Sequence, residues 1–160
     1  MAQGRQYWLM KSEPRVFSIE DLAHAPGQTT GWDGVRNYQA RNFMRMMAVG
    51  DQVLFYHSNA APPAVVGSAE VVRTAYPDET QFDPTDHHYD PASVRAAPRW
   101  EMVDIRYRQT FTTSLPLDRL RQEPRLHAMV LLQKGSRLSV QPVTAAAWAV
   151  VLKLVGDRSR

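Results

Sequence analysis

The apolar positions of this chain change their period several times, and each change marks an element. Tyr7 to Met10 is a short apolar run that predicts a strand. Ser18-Ile19-Glu20-Asp21-Leu22 predicts a helix start, with the Ser18 hydroxyl placed to accept a backbone bond from the first turn. Asn37 can do the same for a helix over roughly Tyr38 to Met47. In that helix Ala40, Phe43, Met44 and Met47 recur at steps of three and four and so share a core face, while Gln39, Arg41, Asn42 and Arg45 point elsewhere. Gly50-Asp51 stops it. Two apolar runs follow, Gln52 to His57 and Ala64 to Arg73, divided by Asn59-Ala60-Ala61-Pro62-Pro63; runs bounded by turn residues read as paired strands.

Periodicity then lapses. Tyr76 to Arg99 carries four prolines, Asp78, Asp83, Asp86 and Asp90, and the adjacent His87-His88, and it reads as a long loop. Loops beyond about a dozen residues are uncommon inside a domain and are often functional, so this one is a candidate lid or rim. Trp100 to Phe111 alternates as a long strand, and Ser114 to Glu123 reads as a helix with Pro116 near its first turn. His127 to Leu132 fits no single period. Leu138 to Val143 predicts a last strand, and Thr144 caps a final apolar helix through Leu154. No repeat interrupts this order. It predicts one domain over residues 7–155, an N-terminal tail over 1–6, and a frayed tail over 156–160. Short mixed strands with peripheral helices predict an α+β protein built on a small, closed or nearly closed β-barrel.

Composition narrows the classes. A chain of 160 residues, 44% hydrophobic and 22% charged, can bury a sizeable core, and no apolar run is long enough to cross a bilayer. No secretory signal follows Met1, and the chain has no cysteine, which excludes disulfides, thiolate metal sites and a cysteine nucleophile; a cytoplasmic location is expected. The net charge of +3 mildly favours an anionic partner. Sixteen arginines against three lysines suit bidentate phosphate and guanine contacts, although a GC-rich genome gives the same bias.

One segment stands apart in its chemistry. Gly31-Trp32-Asp33-Gly34-Val35-Arg36-Asn37-Tyr38-Gln39-Ala40-Arg41-Asn42-Phe43 sets a tryptophan between glycines and follows it with arginines and amides, the donors that read phosphates and base edges. Together with Tyr7-Trp8-Leu9-Met10-Lys11-Ser12-Glu13-Pro14, Val53-Leu54-Phe55-Tyr56-His57-Ser58-Asn59, Ala75-Tyr76-Pro77-Asp78 and Arg137-Leu138-Ser139-Val140-Gln141-Pro142-Val143, it resembles the EVE-domain family. The resemblance spans about Tyr7 to Leu154, with the motifs in the family's order. It implies a PUA-like fold related to YTH, SRA and ASCH domains, in which a modified base enters an aromatic-lined pocket.

Recognition of such a base needs aromatic faces, a few polar groups for its edge and a basic rim for the phosphates. Trp32, Tyr56 and Trp100 are the candidates for the slot. Lys11, Ser12, Asn37, Ser58 and Asn59 are those for the base edge, because they lie at strand ends or at the opening of a helix. Arg36 and Arg41, flanking Asn37, are the expected phosphate contacts. The expected partner is DNA or RNA carrying a modified cytosine or adenine, bound without chemical change, with no cofactor, no metal and no membrane. Two alternatives stay open. Asp33 and Glu13 could do acid-base work in the same pocket, making the chain a nucleic-acid- or nucleotide-modifying enzyme, or the aromatic surface could dock a peptide. His87-His88 with its aspartates lacks HExxH spacing and any thiolate, and is read as a solvated loop.

Overall fold

A computed structural model describes residues 4–156. Three helices begin at the capping residues that the sequence marks. Ser18 accepts from the Asp21 N–H at 3.0 Å, while Asp21 accepts from the Ser18 N–H at 2.8 Å, closing a reciprocal cap on α1 (Ile19–His24). Asn37 Oδ1 takes the Ala40 N–H at the start of α2 (Tyr38–Arg45), and Thr144 Oγ1 takes the Ala147 N–H at the start of α4 (Ala145–Leu154). Among the described residues no helix is long and apolar enough to cross a membrane.

The strands are β1 (Tyr7–Ser12), β2 (Thr29–Gly31), β3 (Gln52–His57), β4 (Ala64–Pro77), β5 (Glu101–Pro116) and β6 (Val140–Val143). They form one mixed sheet in the order β2-β5-β4-β3-β1-β6, in which only β1 and β3 run parallel. The edge strands β2 and β6 do not pair with each other. The architecture is therefore α+β as expected, with a six-stranded sheet that stays open where the short strands suggest a closed or nearly closed barrel.

Both faces of the central strands are buried, which is why β3 reads as an unbroken apolar run. Side chains alternate along a strand. Trp8, Met10, Val53 and Phe55 face one core with Ile19, Leu22, Ala40 and Met44 from α1 and α2. Leu9, Leu54 and Tyr56 face the other, against Leu120 of α3 (Leu117–Arg121), Leu126, and Trp148 and Val151 of α4. Gln6, expected in the N-terminal tail, is tied to this frame: its N–H and its side-chain amide both donate to the Asp51 carboxylate. Residues 157–160 of the expected C-terminal tail lie outside the described residues.

Several expected boundaries move, always where pairing with a distant strand outweighs local preference. β4 runs to Pro77 because Tyr76 and Pro77 pair with Met102 and Glu101. The helix expected from Ser114 shrinks to Leu117–Arg121, since Leu115 and Pro116 pair with Val65 and Ala64 as the end of β5. β2, only three residues long, is a strand through its register with Asp104 to Arg106 alone. The aperiodic stretch His127 to Leu132 holds a single 3-10 turn, Val130–Leu132, preceded by another over Pro124–Leu126.

His57 closes β3 in a way that makes stability depend on pH. Its Nε2 accepts the Ile19 N–H at 3.1 Å, and its ring packs edge-on against Phe55. Desolvation lowers its pKa below the usual imidazole value of about 6.5, although Glu20 and Asp21 pull the other way. The unfolded chain therefore binds the proton more readily, and the contribution is intact above about pH 6.5 and is lost as pH falls toward the folded value. Urea unfolding should show stability dropping as pH is lowered from 7 to 5.5, with a shallower drop in His57→Gln.

Candidate functional site

The loop after β4 is a built structure. Gln81 is completely buried, and its side chain pairs with the backbone of Trp100 as a strand would: Nε2 donates to Trp100 O at 2.8 Å, and Oε1 accepts the Trp100 N–H at 3.1 Å and the Ser93 hydroxyl at 2.6 Å. Asp78, also completely buried, accepts from the Gly34 N–H, the Thr80 N–H and hydroxyl, and Arg36. Desolvation opposes its charge. The bonds from Thr80, Gly34 and Arg36 outweigh that and hold its carboxyl below the usual carboxylate range. Fastened at these buried points, the segment forms a structured rim.

A cavity of about 500 Å³ opens where the end of β1, the connection from β2 to α2 and this rim meet. Trp32 forms part of its wall. The ring stands edge-on against Phe55 at 5.5 Å and Phe17 at 6.4 Å, and is 8% exposed, so the same side chain seals the core and faces the cavity. Gly34 is required beside it. Its φ is +79°, and a Cβ there would lie 2.7 Å from the His88 imidazole, which lines the opposite side. His88 is held by its Nδ1, 3.2 Å from Asp86, and by its carbonyl, which accepts from Arg36 Nε at 2.9 Å.

Polar groups reach the cavity from three directions. The Ser12 hydroxyl donates to Phe17 O at 2.6 Å, so it faces a ligand as an acceptor only. Lys11 borders the cavity, but its ammonium lies 5.9 Å from the centre of the Tyr56 ring, on the opposite face of the sheet from Met10 and Ser12, and desolvation lowers its pKa. Asp33 sits at the mouth. Its carboxyl is raised above the usual range, first by desolvation and then by the nearby Asp78 carboxylate.

The structure thus brings Ser12, Trp32 and Arg36 to one cavity, leaves Lys11 at its border with the ammonium over Tyr56, and sets the other expected residues apart. Tyr56 follows Phe55, and the strand pleat sends it to the opposite core, so it cannot share a slot with Trp32. Trp100 lies behind the rim, donating its indole N–H to Asp90 at 2.7 Å. Asn37 is occupied as a helix cap, and Ser58 touches the site only through its N–H, which donates to Ser12 O. Asn59 donates to Glu13 at 3.4 Å, beside the cavity. Arg36 turns inward, donating to His88 O, Val35 O, Asp78 and Thr80, and so buttresses the wall instead of reaching for phosphate. Arg41 stays at the surface.

Sequence reasoning missed Phe17 and Ser139, and gave His88 no place in the pocket. The signals were weak: a half-polar turn, a loop serine and an aperiodic stretch. Asp86, His87 and His88 bring three ligand atoms within 4.8 Å of one another, but His87 is 87% exposed, and any ion there would rest on three donors completed by solvent.

The arrangement has known relatives. Residues 6–154 match the EVE domain model. Human thymocyte nuclear protein 1 is 44% identical over 165 residues, covering 92% of this chain and 73% of that protein. A crystal structure of human THYN1 protein in complex with 5-methylcytosine containing DNA superposes with a TM-score of 0.88 at 43% identity, covering 97% of this chain and 99% of that one. A crystal structure from Pseudomonas putida reaches 0.90 at 50% identity, covering 93% and 99%. The YTH domain of Zygosaccharomyces rouxii MRB1 protein, in complex with N6-methyladenosine RNA, superposes at 0.57 with 13% identity, covering 99% of this chain and 90% of that one, a likeness of PUA-like fold alone. With the family model covering nearly its whole length and close relatives on every side, the chain belongs to the EVE-domain family.

Proposed function

We propose that this protein is a non-catalytic reader that takes one modified nucleobase of DNA or RNA, a cytosine or adenine derivative, into the cavity beside Trp32. The observation that carries the reading is the cavity itself: an aromatic wall, a fixed rim and a few polar groups around about 500 Å³, within the roughly 300–1,000 Å³ common for small-ligand sites. The DNA complex of the human relative supports a base as the occupant. Asp33 and the Ser12 hydroxyl both offer acceptors, which suit the exocyclic amine that cytosine and adenine share.

Binding to matched oligonucleotides carrying methylated, hydroxymethylated, formylated or unmodified bases tests the reading. One modification should be preferred, and the mass of the bound oligonucleotide should not change. Equal affinity for all, or an altered mass, would replace the reader with a non-specific binder or an enzyme.

The phosphate contact falls to Arg41. Its guanidinium donates to Arg99 O and Asn42 Oδ1, both uncharged, leaving its charge for an anion. Arg41→Ala should weaken binding to methylated, hydroxymethylated, formylated and unmodified strands of one sequence by a similar factor and lower the slope of log affinity against log salt by about one. A change in base preference with the slope intact would assign Arg41 to the base instead.

A further inference from the structure

We infer that Tyr38, backed by Trp100 and flanked by Arg41, is a second nucleobase site that stacks the base neighbouring the one in the cavity. The inference rests on the reading of the cavity as a base pocket. Tyr38 is the first residue of α2 and is 50% exposed. Its ring lies on that of Trp100, with centroids 4.7 Å apart and planes 28° apart.

Trp100 is immobile: its indole is bonded to Asp90 and its backbone to the buried Gln81. A stacking surface backed by a fixed ring loses little freedom when a base settles on it. The charge is also right. Arg41 stands 4.8 Å from the Tyr38 centroid and 5.9 Å from that of Trp100, with no carboxylate among its hydrogen-bond partners. Arginine planes and tyrosine rings are the two surfaces on which unpaired bases stack, and the arginine can meet the adjoining phosphate at the same time.

The two sites are joined by one short segment. Arg36 lines the cavity and reaches within 5.5 Å of the centre of the Trp100 ring, and Tyr38 follows two residues later. A strand whose modified base enters the cavity can pass Arg36 toward Tyr38. The Tyr38 surface lies on the rim's α2 side, where it would receive the base on one side of the inserted nucleotide.

Fluorescence titration with single-stranded DNA tests this. The oligonucleotides carry 5-methylcytosine or cytosine at one central position, with neighbours intact or with an abasic site on the 5′ or the 3′ side. Removing one particular neighbour should weaken the wild-type protein by about 5- to 150-fold. Tyr38→Ala should lose a similar factor on the intact strand and become indifferent to that abasic site, while Tyr38→Phe behaves as wild type. The ratio of methylated to unmethylated affinity should be the same in all three proteins.

Wild-type indifference to both abasic arms would overturn the inference, and so would a Tyr38→Ala protein that keeps the sensitivity. Failure of the pocket reading looks different: equal affinity for methylated and unmethylated strands, with the neighbour effect still measurable on either. If Tyr38→Ala melts well below the parent, Arg41→Gln on the same six strands replaces it and should reduce the neighbour effect; an undiminished effect there would overturn the inference.

Discussion

Trp32→Ala is expected to lower the melting temperature by roughly 6–20 °C and to remove the preference for a modified base. Both losses follow from the double placement of the ring. Trp32 lies edge-on against Phe17 and Phe55 in a core shared with Val35, Met44 and Ile105, so its removal leaves a cavity in well-packed surroundings. Truncating a buried tryptophan costs about 3–5 kcal/mol, and in a chain of this size each kcal/mol is roughly 2–4 °C.

Trp32→Leu separates the two roles. It keeps much of the apolar volume and should melt closer to the parent, yet it offers no flat face, and discrimination should fall by the value of one stacked base, about 1–3 kcal/mol. Calorimetry and binding on the same preparations decide. A Trp32→Leu protein that keeps full preference would move the recognition surface elsewhere in the cavity, with Phe17 and His88 next to test.

The second large effect is expected at Arg36. Arg36→Ala should destabilise the protein by about 3 kcal/mol, the lower end of what breaking a buried ion pair costs, because the arginine is one-fifth exposed while Asp78 is fully enclosed. The loss leaves Asp78 charged without its cation, and it frees the carbonyl of His88 and the hydroxyl of Thr80. The rim should loosen with it. Hydrogen exchange between residues 78 and 100 should accelerate in the variant, and binding should weaken through disorder of the His88 side of the cavity.

The salt dependence of what binding remains should stay near that of the parent, since the guanidinium points inward. A slope that falls by about one, as expected for Arg41→Ala, would return Arg36 to the phosphate rim. Acid titration gives an independent check. Asp78 is held below the usual carboxylate range when folded, so its contribution is present above about pH 4 and is lost as pH falls through the folded value. Asp78→Asn should flatten that part of the acid-unfolding curve.

What could be read along the chain was local. Ser18, Asn37 and Thr144 cap their helices as the sequence dictates, because a cap is a bond across three residues that needs no partner from elsewhere. The apolar spacing of α2 identified Ala40, Met44 and Met47 as core for the same reason. The family motifs that carry Lys11, Ser12 and Trp32 lie at element boundaries that border one cavity.

The rest needed the tertiary structure, because it depends on groups far apart in sequence. Whether Tyr56 faces the cavity or the opposite core is a matter of one residue of strand register, fixed by the pairing of β3 with β1 and β4. Whether Arg36 meets phosphate or Asp78 depends on a carboxylate 42 residues away. The aperiodic loop hid its order for the same reason: Gln81 bonds across 12 residues to Ser93 and 19 residues to Trp100, and those bonds leave no trace in periodicity. The sequence by itself determined the capped starts of three helices, the core face of α2 and the family. Only the fold decided which side chains face the cavity and which brace it, because a side chain's direction is set by the long-range pairing of its backbone and by the partner that satisfies its polar atoms.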